Sequence, residues 1–318
     1  MAGRERYAML TVDTEALPKR APDEHVARLI WGVHEHGSAG IRELCAIGDE
    51  FRLKHVFFVD MCGLYRHPAE MRQVVRWLDE QGQDVQLHMH PEVLPAEVWT
   101  ENGLDFRPEY MNAYRQDDWA EFLIGHFARQ LAELTGKRVL AYRAGSLRWN
   151  ASSIRALRAI DIPLSFNNSM RAYRAGRCTH SEPTDLPFAW SNGVIEVPLT
   201  ERKLLSVGRE EETWVSLTYP EASRFPLLER AGGFLANPLR RKPQFSVVLL
   251  HSWSLLHWDE HGHATFRDER RLEGYRKLLA RLASEYDVIT ARDFVDLHAR
   301  GKIPLAPAVD LARAELPA

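Results

Sequence analysis

The sequence predicts an α/β fold in which seven or eight strand–helix units form a closed or nearly closed barrel. Two observations indicate this class. Short apolar, β-branched runs alternate with longer runs of helical period, a pattern typical of parallel strands covered by helices. The chain has 318 residues, of which 45% are hydrophobic and 27% charged, so one large barrel can bury a substantial core.

Each predicted element has local signals of its own. The strand-like runs are 7–12, 56–59, 84–90, 138–142, 164–166, 195–198, 246–250 and 287–290. Helical periodicity covers 39–51, 68–80, 117–134, 150–160 and 268–284. Pro68 begins the second helix and Asn150 caps the fourth, while Gly82 and Gly136 follow helix ends. Residues 91–116 show no clean period and are interpreted as a long loop that borders a site.

The domain organisation follows from what the sequence lacks. It contains neither an internal repeat nor a low-complexity linker, so residues 1–302 are expected to form a single barrel. Residues 303–318 are rich in Ala and Pro and are expected to be a loosely attached C-terminal tail.

Composition excludes several functional classes. A formal net charge of −3 and a pI near 6.5 are no basis for a nucleic-acid partner. Cys45, Cys62 and Cys178 form neither a disulfide framework nor a thiolate metal cluster, and free thiols suit a reducing compartment. With no signal-peptide run and no membrane-length apolar segment, a cytoplasmic location is expected. A homo-oligomer is left open.

The most informative stretch is His88-Met89-His90-Pro91-Glu92. Side chains two residues apart on a strand point to the same side, so His88 and His90 can bind one metal ion. Two histidines near a strand end are, however, equally consistent with ordinary polar residues at a sheet edge. A metal site is favoured because other strand-like runs also end in groups that bind metals or move protons. The full set is Asp13, Glu15, His88, His90, Arg143, Asn168 and His251.

These positions also carry a resemblance to a known family, the polysaccharide deacetylases of the NodB-homology, carbohydrate-esterase type. Four motifs occur in the family's order, over roughly residues 5 to 295. They are Thr11-Val12-Asp13-Thr14-Glu15 for Thr-Phe-Asp-Asp, His88-Met89-His90-Pro91-Glu92 for His-Ser-x-x-His, Arg143-Ala144-Gly145 for Arg-x-Pro, and Leu249-Leu250-His251 for Leu-x-His. The strand Val56-Phe57-Phe58-Val59 resembles the family's Thr-Phe-Phe strand. The resemblance implies a distorted (β/α) barrel and hydrolysis of an N-acyl group with one divalent metal ion, zinc being the expected ion.

The resemblance also implies roles for individual residues. Asp13 corresponds to the general base, Arg143 to the partner that orients it, and His251 to the general acid. The implied metal ligands are Glu15, displaced by one position, and His88. The family's second histidine falls at Glu92, so the third ligand is either His90 or Glu92, and strand alternation favours His90.

One further departure concerns the aspartate that tunes the acid histidine in the family. Its place is taken around Phe166-Asn167-Asn168, which leaves the tuning of His251 open.

Substrate contacts are expected from aromatic and amide side chains in the loops beside the site. The candidates are Trp99, Tyr110, Tyr114, Asn168 and Trp253, although loop aromatics also serve as anchors on a core. His257, His261 and His263 suggest a second metal site, but their charged setting favours a solvated loop.

The prediction is therefore a metal-dependent carbohydrate deacetylase that acts on an amino sugar or glycan intermediate. Two alternatives are a metal-free amidohydrolase of a non-carbohydrate amide and a catalytically silent carbohydrate-binding barrel.

Overall fold

The computed structural model describes residues 6–105, 107–204, 213–220 and 243–315. Tertiary contacts divide the chain into two compact units. The first contains residues 1–55 and 199–290, and the second contains residues 56–198 and 291–318.

The described strands agree in large part with the predicted runs. They are β1 (Tyr7–Thr14), β2 (Val33–His34), β3 (Gly37–Ser38), β4 (Val56–Asp60), β5 (Asp84–Met89), β6 (Ala141–Ala144), β7 (Leu164–Ser165), β8 (Phe188–Ala189), β9 (Ile195–Glu196), β10 (Glu201–Leu204), β11 (Thr213–Ser216), β12 (Phe245–His251), β13 (Leu256–Trp258), β14 (Ala264–Arg267) and β15 (Asp287–Val288).

The described α-helices also follow the predicted periodicity, with three additions that the sequence did not reveal, α3, α6 and α8. They are α1 (Ile41–Glu50), α2 (Pro68–Glu80), α3 (Ala96–Glu101), α4 (Asp117–Thr135), α5 (Ala151–Ala159), α6 (Met170–Arg174), α7 (Glu269–Glu285) and α8 (Ala291–Ala299). The predicted caps are present, since the Asn150 side chain accepts from Ser153 N and Gly136 adopts the left-handed conformation after α4.

Strand β1 is the centre of the first unit. It pairs in parallel with β12 along a register that runs from Tyr7 opposite Phe245 to Asp13 opposite His251. It also pairs in parallel with β15, with Tyr7 opposite Asp287. All of β1 after Tyr7 is buried, as is all of β12 before His251, so both strands contribute to the core and carry polar groups at their carboxyl ends.

The other elements of the first unit surround this pair. Helices α1 and α7 pack against each other, and the buried His55 ring is hydrogen-bonded to the Tyr275 hydroxyl at 2.6 Å. Strands β10 and β11 form an antiparallel pair, and β13 pairs antiparallel with β14. The solvated loop expected around His257 and His263 is therefore wrong in part. Residues 256–267 form a hairpin whose turn reverses at Gly262, with φ 77°, and whose exposed residues are Glu260, His261 and Phe266.

The second unit contains a parallel sheet in the order β4-β5-β6-β7-β9, and β8 pairs antiparallel with β9 at its edge. Helix α4 packs on α5 and α2, so the helices cover this sheet as the sequence predicts. The half-buried Asp84 at the start of β5 caps α8, because its carboxylate accepts from Ala291 N at 2.7 Å.

Two expectations for the second unit are corrected. The segment 91–116 contains α3 and short 3-10 turns, because Trp99 and Met111 supply the buried side chains that anchor it. The loose attachment expected after residue 302 is wrong for residues 303–315. Val309 exchanges backbone hydrogen bonds with Ala189 and Ser191, and Leu311 is buried.

Candidate active site

In the first unit, strand register brings three of the predicted site residues together. Asp13 and His251 end neighbouring strands directly opposite each other, and Glu15 follows two residues after Asp13. One ligand atom from each of these three side chains lies within 4.8 Å of those of the other two. Asp13 is 5% exposed and Glu15 is 3% exposed, whereas His251 is half-buried. Two acids and an imidazole therefore share one polar end of the β1–β12 pair.

The His251 ring is held by its own loop. Trp253 is buried and stacks on the imidazole, with ring centroids 5.0 Å apart and planes inclined by 16°. The His251 backbone N–H donates to Ser254 Oγ at 2.9 Å, and that hydroxyl donates to Tyr219 O. The imidazole is thus supported on one face by an indole, and its backbone is fixed by a buried serine. Trp253 is therefore a support for His251.

In the second unit, three polar side chains form a row across neighbouring strands. Asp60 lies opposite His88, and His88 lies opposite Arg143. All three residues are buried. Asp60 is not among the predicted site residues, because the predicted strand ends at Val59. Its Oδ1 accepts from the backbone N–H groups of Cys62 and His90, both at 3.1 Å, so it fixes the chain on both sides of the row.

The hydrogen bonds of the two imidazoles indicate which ring nitrogen could bind a metal ion. His88 Nδ1 lies 2.8 Å from the Arg143 carbonyl oxygen, and His90 Nδ1 lies 2.6 Å from Glu92 Oε1. Both oxygens accept only, so each Nδ1 carries a proton, and in the neutral ring Nε2 carries the lone pair. The two ring centroids are 5.0 Å apart. This is the arrangement of metal-binding histidines whose second nitrogen is anchored by the protein.

Arg143 is fully buried in the second unit. Its Nε donates to Phe166 O at 3.3 Å, and its guanidinium carbon lies 4.3 Å from the centroid of the Phe58 ring. A guanidinium keeps its charge in such a place, so its position has to be stabilised by π faces and hydrogen-bond acceptors.

The residue two positions after Arg143 is glycine for a steric reason. A Cβ at Gly145 would lie 2.6 Å from His90 Nδ1 and 2.6 Å from Met89 O. The two residues that follow have positive φ, 55° for both Ser146 and Leu147, so this turn is strained beside the His90 ring. The resemblance identifies this turn as a motif, and the structure supplies the reason for its glycine.

The aromatic candidates for substrate binding are corrected. Trp99 is fully buried and Tyr114 is 4% exposed, and their rings stack on each other at a centroid distance of 5.6 Å. Their faces are covered, so they are not the stacking platforms expected and they anchor the 91–116 segment instead. Tyr110 is half-buried, and the Arg148 guanidinium lies 4.5 Å over its ring.

Asn168 is corrected in the same way, since its amide is committed to the backbone. Its Oδ1 accepts from Glu182 N at 2.7 Å and from Ser181 Oγ, and its Nδ2 donates to Glu182 O.

Sequence reasoning also missed Glu196, which is completely buried. Its carboxylate accepts from the backbone N–H groups of Asn167 and Asn168 and from Trp190 Nε1. Burial raises the pKa of the Glu196 carboxyl. Asn167 and Asn168, which stand where the family's tuning aspartate is expected, therefore belong to a structural network.

The donor set in the first unit fits a divalent metal ion, and the second unit supplies two further imidazole donors. Imidazole nitrogen with carboxylate oxygen is the ligand combination that zinc accepts. In the first unit, buried carboxylates as close as Asp13 and Glu15 repel each other, and a cation relieves that repulsion. In the second unit, the Nδ1 contacts of His88 and His90 leave Nε2 as the ligand atom.

Comparison with solved structures identifies the fold. The chain is similar to a candidate polysaccharide deacetylase of Mycobacterium smegmatis at 16% identity and a TM-score of 0.56, covering 96% of this chain and 94% of that one. It is similar to Puue allantoinase at 15% identity and a TM-score of 0.56, again covering 96% and 94%. It also resembles a 4-alpha-glucanotransferase from Thermococcus litoralis at 11% identity and a TM-score of 0.54, covering 96% of this chain and 40% of that one.

These similarities confirm the predicted fold class, an α/β barrel of the NodB-like deacetylase type, and they agree with the motif resemblance of a divergent member. No protein-family model matches the sequence, and the comparison with curated proteins finds no match. In the described ranges, none of the helices combines the length and apolar character needed to cross a bilayer.

Proposed function

We propose that this protein is a divergent NodB-type hydrolase that removes an N-acyl group, in the simplest case acetyl, from an amino sugar or glycan intermediate. The observation that carries the proposal is the pair of buried imidazoles, His88 and His90, each held through Nδ1, and we assign the ligand role to Nε2 of both rings. The fold shared with a candidate polysaccharide deacetylase supports the reaction class.

The residues proposed to hold one divalent ion are Glu15, His88 and His90, and zinc is the expected ion. They combine one carboxylate with two neutral imidazoles, as hydrolytic zinc sites with an open position do. When bound, the ion would polarise the acyl carbonyl and lower the pKa of bound water to about 7.

Asp13 is proposed to accept the proton of the attacking water. Its carboxylate is buried at the end of β1, and an opposite charge would orient it. We assign that task to Arg143, since a fully buried guanidinium is stabilised by an anion.

His251 is proposed to protonate the departing amine, which leaves poorly as an anion. The stacked Trp253 ring and the Ser254 hydroxyl limit the orientations available to its imidazole. A general acid in a fixed orientation is typically worth about 10²–10⁴-fold in rate.

A cytoplasmic place of action is proposed for the same reaction. Cys45, Cys62 and Cys178 are all free thiols, which suits a reducing compartment. The substrate would then be a glycan intermediate of carbohydrate metabolism.

Metal content and acetate release, measured on the same preparations, test the proposal. The wild type is expected to bind about one ion per chain and to release acetate from acetylated amino sugars. His88→Ala should lose both properties, whereas His251→Ala should lose turnover and keep the ion. Loss of the ion from His251→Ala would make His251 a ligand, which the Asp13–Glu15–His251 group allows, and would refute its assignment as the acid.

A second candidate function is favoured by the similarity to Puue allantoinase, which equals that to the candidate deacetylase in TM-score. It is a metal-free amidohydrolase that acts on a cyclic or linear amide of non-carbohydrate origin. A wild type that hydrolyses such amides after exhaustive chelation and contains no ion would establish this candidate over the first. A protein that binds glycans without releasing acetate would be the silent carbohydrate-binding barrel.

A further inference from the structure

Glu92 stands where the deacetylase motif has its second histidine, and it makes a specific contact with His90. Its Oε1 lies 2.6 Å from His90 Nδ1, and both side chains are largely buried, at 17% and 3% exposure. The two residues are separated only by Pro91, so the contact is built into a single turn of the chain.

The backbone of this turn directs the Glu92 side chain back towards the imidazole. Pro91 is the first residue of a 3-10 turn, which is closed by bonds from Val93 N to His90 O and from Leu94 N to Pro91 O, both 3.1 Å. Asp60 Oδ1 holds the backbone N–H of His90 at the start of the same turn. The position of Glu92 relative to His90 therefore follows from local geometry.

The His90 ring is also confined by the backbone of Gly145. Gly145 lies against Nδ1 and Cε1 so tightly that a Cβ there would overlap both atoms. The ring is thus confined by a backbone on one side and by a carboxylate on its Nδ1 edge. A confined ring with a fixed Nδ1 partner has one direction left for Nε2.

We propose that Glu92 is a positioning residue for a metal ligand and not itself a ligand. The carboxylate accepts the Nδ1 proton of His90, which fixes the tautomer that leaves the lone pair on Nε2. A charged acceptor at Nδ1 also makes Nε2 of His90 a stronger electron-pair donor to a metal ion. The Nδ1 of His88 has a neutral carbonyl as its acceptor, so its Nε2 is strengthened less. The inference rests on the proposed function, because it assigns Nε2 of His90 to the divalent ion.

The competing interpretation is direct ligation by Glu92. Its second oxygen, Oε2, is buried and has no hydrogen-bond partner among the residues that the structure describes. Such an oxygen is either shielded from water beside a positioned imidazole or available to a metal ion. Mutation of Glu92 alone lowers metal affinity under both interpretations, so a double-mutant cycle with His90 is needed.

The experiment measures zinc and cobalt affinity by competition with a chromophoric chelator. The variants are Glu92→Gln, Glu92→Ala, His90→Ala and His90→Ala/Glu92→Ala. Glu97→Gln is the matched control, since it makes the same chemical change on an exposed position of α3. Loss of a partner that orients a ligand typically costs about 10–100-fold in affinity, so Glu92→Ala should fall in that range and the isosteric Glu92→Gln nearer its lower end.

In the His90→Ala background, removal of Glu92 should leave metal affinity unchanged, because the imidazole through which it acts is absent. A further loss of about tenfold or more in the double variant would make Glu92 a ligand and overturn the inference.

A second readout needs neither metal nor activity. Nitrogen-15 shifts of the His90 ring, recorded on the metal-free protein near pH 8.5, about two units above the ordinary imidazole pKa, report which nitrogen carries the proton. The wild type and Glu97→Gln should show Nδ1–H, and Glu92→Ala should show a mixture of tautomers. An Nε2–H tautomer in the wild type overturns the inference. A wild type with the Nδ1–H tautomer that binds no ion would refute the proposed function instead.

Discussion

Replacing Gly145 by alanine should disable the His90 side of the site while leaving the chain folded. The added Cβ would lie 2.6 Å from both His90 Nδ1 and Met89 O, and 2.7 Å from His90 Cε1. Ordinary contacts of this kind begin at 3.4 Å, so the new Cβ has to lie about 0.8 Å farther from the ring and from the end of β5. Movement of the imidazole relieves the contacts with Nδ1 and Cε1, and the backbone at Gly145 or Met89 has to shift as well to relieve the contact with the oxygen.

That movement determines the size of the expected effect. The 2.6 Å bond between His90 Nδ1 and Glu92 Oε1 cannot survive a shift of this size unaltered. We expect metal affinity to fall by about 10–100-fold, which is about 1.4–2.7 kcal/mol of binding free energy. Turnover should fall by up to about 10²-fold through misplacement of the reacting groups. Overpacking should cost about 1–3 kcal/mol in the free energy of unfolding.

The assay combines chelator competition for metal affinity with urea denaturation followed by circular dichroism. Gly63→Ala is the matched control, because it adds the same methyl group to a buried glycine of the second unit where the nearest atom is 3.4 Å away. A folded Gly145→Ala protein that binds zinc as tightly as the wild type would refute the placement of the His90 ring.

Three further outcomes are expected from the buried groups of the chain. Burial raises the pKa of the Cys45 thiol to about 12 and that of the Cys62 thiol above its usual range. Both thiols should therefore resist a thiol reagent near pH 8 in the native protein and react in about 6 M guanidinium. Rapid labelling of either thiol in the native protein would contradict their burial. Burial raises the pKa of Asp84, so its contribution to stability is present below its ordinary pKa and is lost as the pH rises through the folded pKa. Unfolding free energies measured across that acidic window should therefore depend less on pH in Asp84→Asn than in the wild type. Glu196→Ala leaves three buried donors without their acceptor and should lower the free energy of unfolding by about 3 kcal/mol or more, whereas the exposed Glu121→Ala should change it by less than about 0.5 kcal/mol.

Much of the fold could be predicted because local patterns depend on nearby residues. The helix at Pro68–Glu80 has the predicted bounds, since proline, apolar spacing and a following glycine all act within one or two turns. The 256–267 hairpin and α3 were not predicted. Their signals are short, and a hairpin or a two-turn helix of this length is stabilised by packing more than by its own sequence.

The residue types of the candidate site could also be predicted from the sequence, because acids and imidazoles follow strand-like runs. Their roles as supports were not readable in the same way. The sequence predicts Asn168 and Trp99 as substrate-binding residues. In the structure Asn168 binds Glu182, and Trp99 packs on Trp119. Asp60 was missed because the predicted strand ends one residue before it, and Glu196 was missed because a carboxylate that binds backbone N–H groups leaves no spacing pattern.

The sequence by itself determined the order of the strands and helices, the residues at the strand ends and the motif resemblance. Each of these depends on side-chain type and on periods of two or 3.6 residues. Only the tertiary structure decided that Asp13 lies opposite His251, that Asp60, His88 and Arg143 form a row, and that Gly145 and Glu92 confine His90. Register and close contact arise from hydrogen-bond ladders and packing between segments far apart in the chain, and no local pattern encodes them.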